Sequence, residues 1–236
     1  PIGDGTTLVL DSAQSTILTT LFAVALMNAI NFVDGIDGLA SGVGMISGLA
    51  TLAFALSILH DQGGAVAAYP PAIIAAGLVG MCAGFLPHNF APSRIFMGDT
   101  GAMFIGLLLA AASTSASGKI NMSLYGTADF IASMSPLFVV LASVFIPMLD
   151  LIMAVTRRLA RGQSPFTADR KHLHHRLLRM GHSQKQVVLV LYTWVGVVAF
   201  GAVGFTIFPP LWALIMLAVA VVFAIWYTVR PAGLHF

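Results

Sequence analysis

The chain has 236 residues, of which 58% are hydrophobic and 8% charged, and its mean hydropathy is +0.93. A water-soluble domain of this length needs a charged skin that 11 Lys and Arg and 9 acids cannot supply, so a soluble globular protein is excluded and no nucleic-acid partner is expected. All nine acids are Asp, and Cys82 is alone, which rules out an internal disulfide framework.

Apolar segments, each close to the roughly 20 residues a helix needs to cross a hydrocarbon core, run over 15–33, 38–59, 70–88, 100–117, 133–155, 187–208 and 210–229. Backbone polar groups cannot stay unpaired in lipid and these runs are too long for barrel strands, so they are predicted as helices. The expected fold class is an all-α, polytopic transmembrane bundle of about seven spans, with 1–236 as a single integral membrane domain. Gly42, Gly44 and Gly48, and again Gly77, Gly80 and Gly84, are predicted to permit close helix–helix approach. Pro70–Pro71 and Pro209–Pro210 punctuate turns. The start at Pro1, without a basic region leading into a short apolar stretch, shows no signal peptide and leads to the expectation that sequence is missing upstream.

Orientation follows from charge. The segment 156–186 carries eight of the eleven basic residues, and the positive-inside rule makes it a cytoplasmic loop. Counting spans outward puts Asp34, Asp37, Arg94, Asp99 and Arg230 on the same side, leaving only Lys119 opposite. The polar motifs were not used to set that orientation, yet they fall on the cytoplasmic face.

Three constellations could carry chemistry. In Asn28-Ala-Ile-Asn31-Phe-Val-Asp34-Gly-Ile-Asp37-Gly, two carboxylates and two amides lie where one span ends and the next begins. Gly35 and Gly38 are expected to break the helix and leave Asp34 and Asp37 on a surface turn. The plain alternative makes Asp37 an N-cap, but ionisable groups inside an apolar stretch are expensive and usually functional. In Asn89-Phe-Ala-Pro-Ser-Arg94-Ile-Phe96-Met-Gly-Asp99-Thr-Gly, an Asp between a glycine and a helix suits either an N-cap or a ligand for a hard cation. In Asp169-Arg170-Lys171-His172-Leu-His174-His175-Arg176, imidazoles join basic groups. No Cys lies nearby, so a structural zinc site is not expected. A polybasic stretch binds anionic lipid without any histidine, so their presence favours a phosphorylated substrate. Asp150 is positioned to pair with Arg157, and Trp194, Trp212, Trp226 and Tyr227 serve as packing or interface anchors.

Taken in order, NAINFVDGIDGLASG, RIFMGDTGA and PFTADRKHLHHRLL closely resemble the motifs of the polyprenyl-phosphate N-acetylhexosamine-1-phosphate transferases. The resemblance covers essentially the whole chain but only the carboxyl-terminal portion of a family member, roughly two-thirds. The family's amino-terminal helices, with their early Asp-Asp motif, are not in this sequence, which implies that the fragment alone is inactive. The resemblance implies transfer of N-acetylglucosamine-1-phosphate from UDP-GlcNAc to a polyprenyl phosphate, giving polyprenyl-diphospho-GlcNAc and UMP. This would be the first membrane step of cell-envelope glycopolymer synthesis, on the cytoplasmic face of the plasma membrane.

By the same resemblance Asp99 would ligate Mg²⁺, with Mn²⁺ as a substitute, and Asp34 and Asp37 would be the catalytic carboxylates. Asn31, Asn89, Arg94, Phe96, Arg170, His172, His174, His175 and Arg176 would bind substrate, with Phe96 stacking on uracil. A homodimer is compatible with this picture. Two alternatives stand beside it: the same chemistry on UDP-MurNAc-pentapeptide, and a secondary transporter. Transporters also use intramembrane Asp and broken helices, but they place them at mid-membrane within inverted repeats, and no such repeat is visible.

Overall fold

The computed structural model describes residues 11–64, 66, 69–117, 137–142, 145, 152, 156, 159, 160, 162 and 182–229. Helices account for nearly all of them: α1 (Ser12–Val33), α2 (Leu39–Asp61), α3 (Tyr69–Asn89), α4 (Gly98–Ser117), α5 (Gln184–Ile207) and α6 (Pro210–Val229). A further helical stretch covers 137–142. The expected span over 133–155 falls largely outside the described residues, as does the Asp150–Arg157 pairing. The other six spans appear within a few residues of their sequence-read bounds.

Each helix has 20 to 24 residues and is apolar enough to cross a membrane. At a rise of 1.5 Å per residue they reach about 30 to 36 Å, matching a hydrocarbon core of about 30 Å. Their ends are set locally. Asp11 accepts from the Gln14 N–H at 2.7 Å while the Gln14 side chain accepts from the Asp11 N–H, a capping box that starts α1. Ser183 and Gln186 make the same reciprocal pair at the head of α5. The Pro pairs lie in or against first turns: Pro70 and Pro71 open α3, and Pro210 opens α6, where a missing N–H costs nothing.

The helices are apolar on every face, so burial is decided by packing and not by amphipathicity. Helix α2 is central, touching α3, α4 and α5, while α1 lies along α4 and α6 against α5. Leu26, Ile30, Val43, Leu78, Ile105, Leu109, Val187 and Val195 fill the middle. A second cluster, including Phe54, Ile58, Val139 and Val203, closes the opposite end. Outward-facing residues are just as apolar: Leu211, Trp212, Val219, Val222 and Phe223 of α6 are all more than half exposed. A patch of that extent is untenable in water and is what a lipid-facing surface requires. The protein is an all-α polytopic membrane bundle.

Close approach is concentrated where backbone meets backbone. A Cβ on Gly106 of α4 would lie 2.6 Å from the Met27 Cα of α1, and one on Gly44 of α2 would lie 2.7 Å from Ile105 Cγ2. At Gly77, Gly80 and Gly84 no atom of the described residues lies within 4 Å of the would-be Cβ positions. They sit on the exposed side of α3, where small size brings no described helix closer.

Candidate functional site

The polar residues of the first two motifs gather at one end of the bundle, where α1 gives way to α2 and α3 to α4. Helix α1 ends with the Asp34 N–H donating to the Asn31 carbonyl at 3.2 Å, and the Gly35 N–H reaches the Val33 carbonyl at 2.8 Å. The chain then turns through Gly38, which has φ of +80° and forms the N-cap of α2. A side chain there would be strained by its backbone angle, and its Cβ would lie 3.0 Å from Phe90 Cδ2 and 3.2 Å from Phe90 Cα. Glycine at 38 thus serves both the reversal and the packing of the second hairpin against the first.

Asp37 does not cap α2, since that helix has no side-chain cap. Its Oδ2 accepts instead from the Ser93 N–H at 3.1 Å, tying the first turn to the 90–97 loop. Asn89, expected to face substrate, is only 2% exposed. Its Oδ1 accepts from the Ser41 hydroxyl at 2.8 Å and its Nδ2 donates to the Ile95 carbonyl at 3.0 Å. Both ends of the amide are engaged inside the protein, so Asn89 acts as a strut between α2 and the loop; direct substrate contact is not where its geometry points. The His88 carbonyl completes the loop by accepting from the N–H groups of Arg94 at 2.8 Å and Ile95 at 3.3 Å.

This scaffolding turns the remaining candidates outward. Phe96 is 78% exposed, and Arg94 and Asp99 are exposed beside it. Asp99 stands in the first turn of α4, where the unpaired amides and the helix dipole favour an anion. Asn31 and Asp34 are half-buried at the end of α1. Asn28 is exposed, with its Nδ2 returned to the Val24 carbonyl at 2.7 Å. Burial first, and then the nearby charges of Asp99 and Asp37, together push the Asp34 carboxyl from 3.8 up to about 6. The three carboxylates therefore share one electrostatic neighbourhood although they come from two hairpins. Arg170, His172, His174, His175 and Arg176 lie outside the described residues.

Among the described residues no three His, Cys, Asp or Glu side chains form a ready metal cage. Asp34, Asp37 and Asp99 are hard oxygen donors that repel one another, but the three do not close into such a group. Mg²⁺ commonly takes only one or two carboxylates and completes its shell with water and phosphate oxygens.

Residues that the motifs did not single out build much of this end. Ser41 supplies the donor to Asn89, Ser93 the amide to Asp37, and the Tyr192 hydroxyl of α5 donates to the Gly38 carbonyl. Ser41 and Ser93 lie within the quoted motifs and Tyr192 is a polar tip inside an apolar span, but none of these signals names a partner.

A polytopic bundle with a cluster of acidic residues at one end describes a class of membrane protein, and comparison with known proteins narrows it. Residues 2–117 match the family described as glycosyl transferase family 4. The decaprenyl-phosphate N-acetylglucosaminephosphotransferase of Mycobacterium tuberculosis is 53% identical over 210 residues, covering 89% of this chain and 52% of that protein. The enzyme of the same name from Mycolicibacterium smegmatis is 49% identical over 231 residues, 98% of this chain and 57% of the relative. The undecaprenyl-phosphate alpha-N-acetylglucosaminyl 1-phosphate transferase of Escherichia coli is 32% identical over 218 residues, 90% and 55% respectively. The chain belongs to the glycosyl transferase family 4 family. It spans about half the length of the curated relatives it matches, less than the two-thirds expected from the motifs alone.

Proposed function

We propose that the full protein to which this chain belongs transfers N-acetylglucosamine-1-phosphate from UDP-GlcNAc to a polyprenyl phosphate, releasing UMP at the cytoplasmic face of the plasma membrane. The observation that carries the reading is the convergence of Asp34, Asp37 and Asp99 at one end of the bundle, close enough for the latter two to raise the pKa of Asp34. The activities for which the relatives are named suggest the substrate class, and the basic segment 156–186 suggests the orientation.

The chemistry suits a site at the membrane surface. A phosphate oxygen of the lipid attacks the β-phosphorus of the donor, the bond from that phosphorus to the bridging oxygen breaks, and UMP leaves with the electron pair. The lipid phosphate is already an anion, so catalysis is mostly positioning and charge neutralisation. Bound Mg²⁺, held by Asp99 with Asp34 and Asp37 beside it, would neutralise the diphosphate. Phe96 offers an exposed ring face for uracil, and Arg94 an exposed cation for phosphate. Asn31, half-buried one turn before Asp34, would hydrogen-bond the nucleotide. The histidines and arginines of 170–176 add donors for the diphosphate or the sugar.

The test is UMP release in detergent from UDP-GlcNAc and polyprenyl phosphate by the full-length protein. Asp34→Asn and Asp99→Asn are each expected to lower turnover by about 10²-fold or more with folding intact. Wild-type turnover in both variants would remove the carboxylates from the mechanism. Turnover with UDP-MurNAc-pentapeptide in place of UDP-GlcNAc would reassign the donor.

A further inference from the structure

Tyr192 lies two turns into α5, in a stretch where Leu191 and Val195 are core residues. Its ring occupies a notch that only glycine can provide: a Cβ on Gly42 would fall 1.9 Å from the ring's Cζ. Its hydroxyl crosses to α2 and donates to the Gly38 carbonyl, 154 residues away in sequence. That carbonyl also accepts from the Gly42 N–H at 3.0 Å, and the Ser41 hydroxyl, whose one proton it shares with Asn89, lies 3.1 Å away. The Gly38 peptide is thus where α2, α5 and the acidic turn meet.

Packing alone does not explain the hydroxyl. A phenylalanine would fill the same notch without bringing a polar group into an apolar span, where it is costly unless bonded. Nor does the Gly38 carbonyl need the tyrosine, because the first hydrogen bond of α2 already satisfies it. What the hydroxyl adds is a tether from α5 to the residue immediately after Asp37. The turn is otherwise held from the other side, by the Ser93 amide on Asp37 Oδ2. The two tethers grip the turn from α5 and from the 90–97 loop, and leave it little freedom between them.

We propose that Tyr192 is a positioning residue for the acidic turn: its hydroxyl, through the Gly38 carbonyl, fixes where Asp37 and Asp34 stand relative to Asp99. The inference rests on the transferase reading for its kinetic readout, and on metal binding for a readout independent of turnover. Carboxylates from two hairpins can share a cation only if the hairpins keep register, and a displacement of about 1 Å at such a site lowers rates by about 10²-fold.

The experiment compares Tyr192→Phe with wild type in the full-length protein. UMP release is measured against UDP-GlcNAc and Mg²⁺, and Mn²⁺ binding is followed by electron paramagnetic resonance without either substrate. Because the ring stays in the Gly42 notch, the melting temperature in detergent is expected to change little. The turnover number is expected to fall about tenfold or more, with KM for UDP-GlcNAc within about twofold of wild type. Half-saturating Mg²⁺ should rise several-fold, and Mn²⁺ affinity should weaken in parallel. Unchanged turnover and Mn²⁺ affinity would overturn the proposal. So would a loss of activity that tracks only the unfolded fraction while the folded protein keeps its wild-type metal dependence. If wild type binds Mn²⁺ in a Tyr192-dependent way yet releases no UMP, the positioning stands and the transferase reading falls. An active enzyme indifferent to Tyr192→Phe has the opposite meaning.

Discussion

The contact between Gly106 and the backbone at Leu26 and Met27 makes the register of α1 against α4 open to a one-methyl test. In Gly106→Ala the new Cβ would lie 2.6 Å from the Met27 Cα and 2.7 Å from both the Leu26 carbonyl oxygen and the Met27 nitrogen. All three are backbone atoms, so no side chain can rotate away. Reaching ordinary van der Waals distance requires the helices to part by about 1 Å, at a cost of roughly 1–3 kcal/mol by analogy with overpacked cores. Met27 lies two turns before Asp34 and Gly106 two turns after Asp99, so the wedge acts at matched depth on both carboxylates. A separation of that size is expected to lower turnover by about 10²-fold. The assay is UMP release by the full-length protein in detergent, normalised to folded protein by size-exclusion chromatography and accompanied by thermal melting. Gly204→Ala is the control, because no described atom lies within 4 Å of its would-be Cβ. Wild-type turnover in Gly106→Ala, or an equal loss in Gly204→Ala, would refute the argument that this contact sets the spacing of the site.

Asn89→Ala takes the donor from the Ile95 carbonyl and turns the Ser41 hydroxyl back to the Gly38 carbonyl alone, and should cost on the order of 1–3 kcal/mol, seen as a lower melting temperature. A substrate ligand would instead raise KM and leave melting alone. Phe96→Ala should behave in that second way: the ring is exposed, so melting stays put, while KM for UDP-GlcNAc rises up to about tenfold for a lost stacking contact. For the metal-free protein, the Asp34 carboxyl titrates near 6 when folded against 3.8 when unfolded, so the folded state holds the extra proton between those values. The associated stability is complete below the lower value and lost as pH rises through the upper one. Asp34→Asn should therefore flatten the fall in melting temperature between about pH 4 and pH 7, and an unchanged slope would mean that Asp34 is not the group responsible.

The spans could be read from sequence because lipid imposes a length, and runs of about 20 apolar residues have few other uses. The break at Asp34–Gly38 was legible for a local reason: two glycines between two spans leave a turn as the simplest solution. The partners made across the fold were not legible. A helix cap was the plain alternative for Asp37 because cap chemistry is local, whereas its actual bond to the Ser93 amide depends on how two hairpins dock. Asn89 looked like a ligand because it sits in a polar motif, and only tertiary packing shows its amide closed in by Ser41 and Ile95. The glycines divide in the same way. Gly42 and Gly44 face Tyr192 and Ile105, while Gly77, Gly80 and Gly84 meet no described neighbour, and composition alone treats the two sets alike.

The division of the acidic end between two hairpins has a consequence for biosynthesis. As the chain leaves the ribosome, the α1–α2 hairpin can enter the bilayer with Asp34 and Asp37 in water at its tip, and the α3–α4 hairpin can follow with Asp99 at its own. Neither tip bears the repulsion of the other until the bonds from Ser93 to Asp37 and from Ser41 to Asn89 bring them together. Insertion can therefore proceed with each charge still hydrated, and the strained arrangement arises only at a late docking step within the membrane. A nascent chain halted before α4 would lack Asp99 and with it the meeting of the two tips.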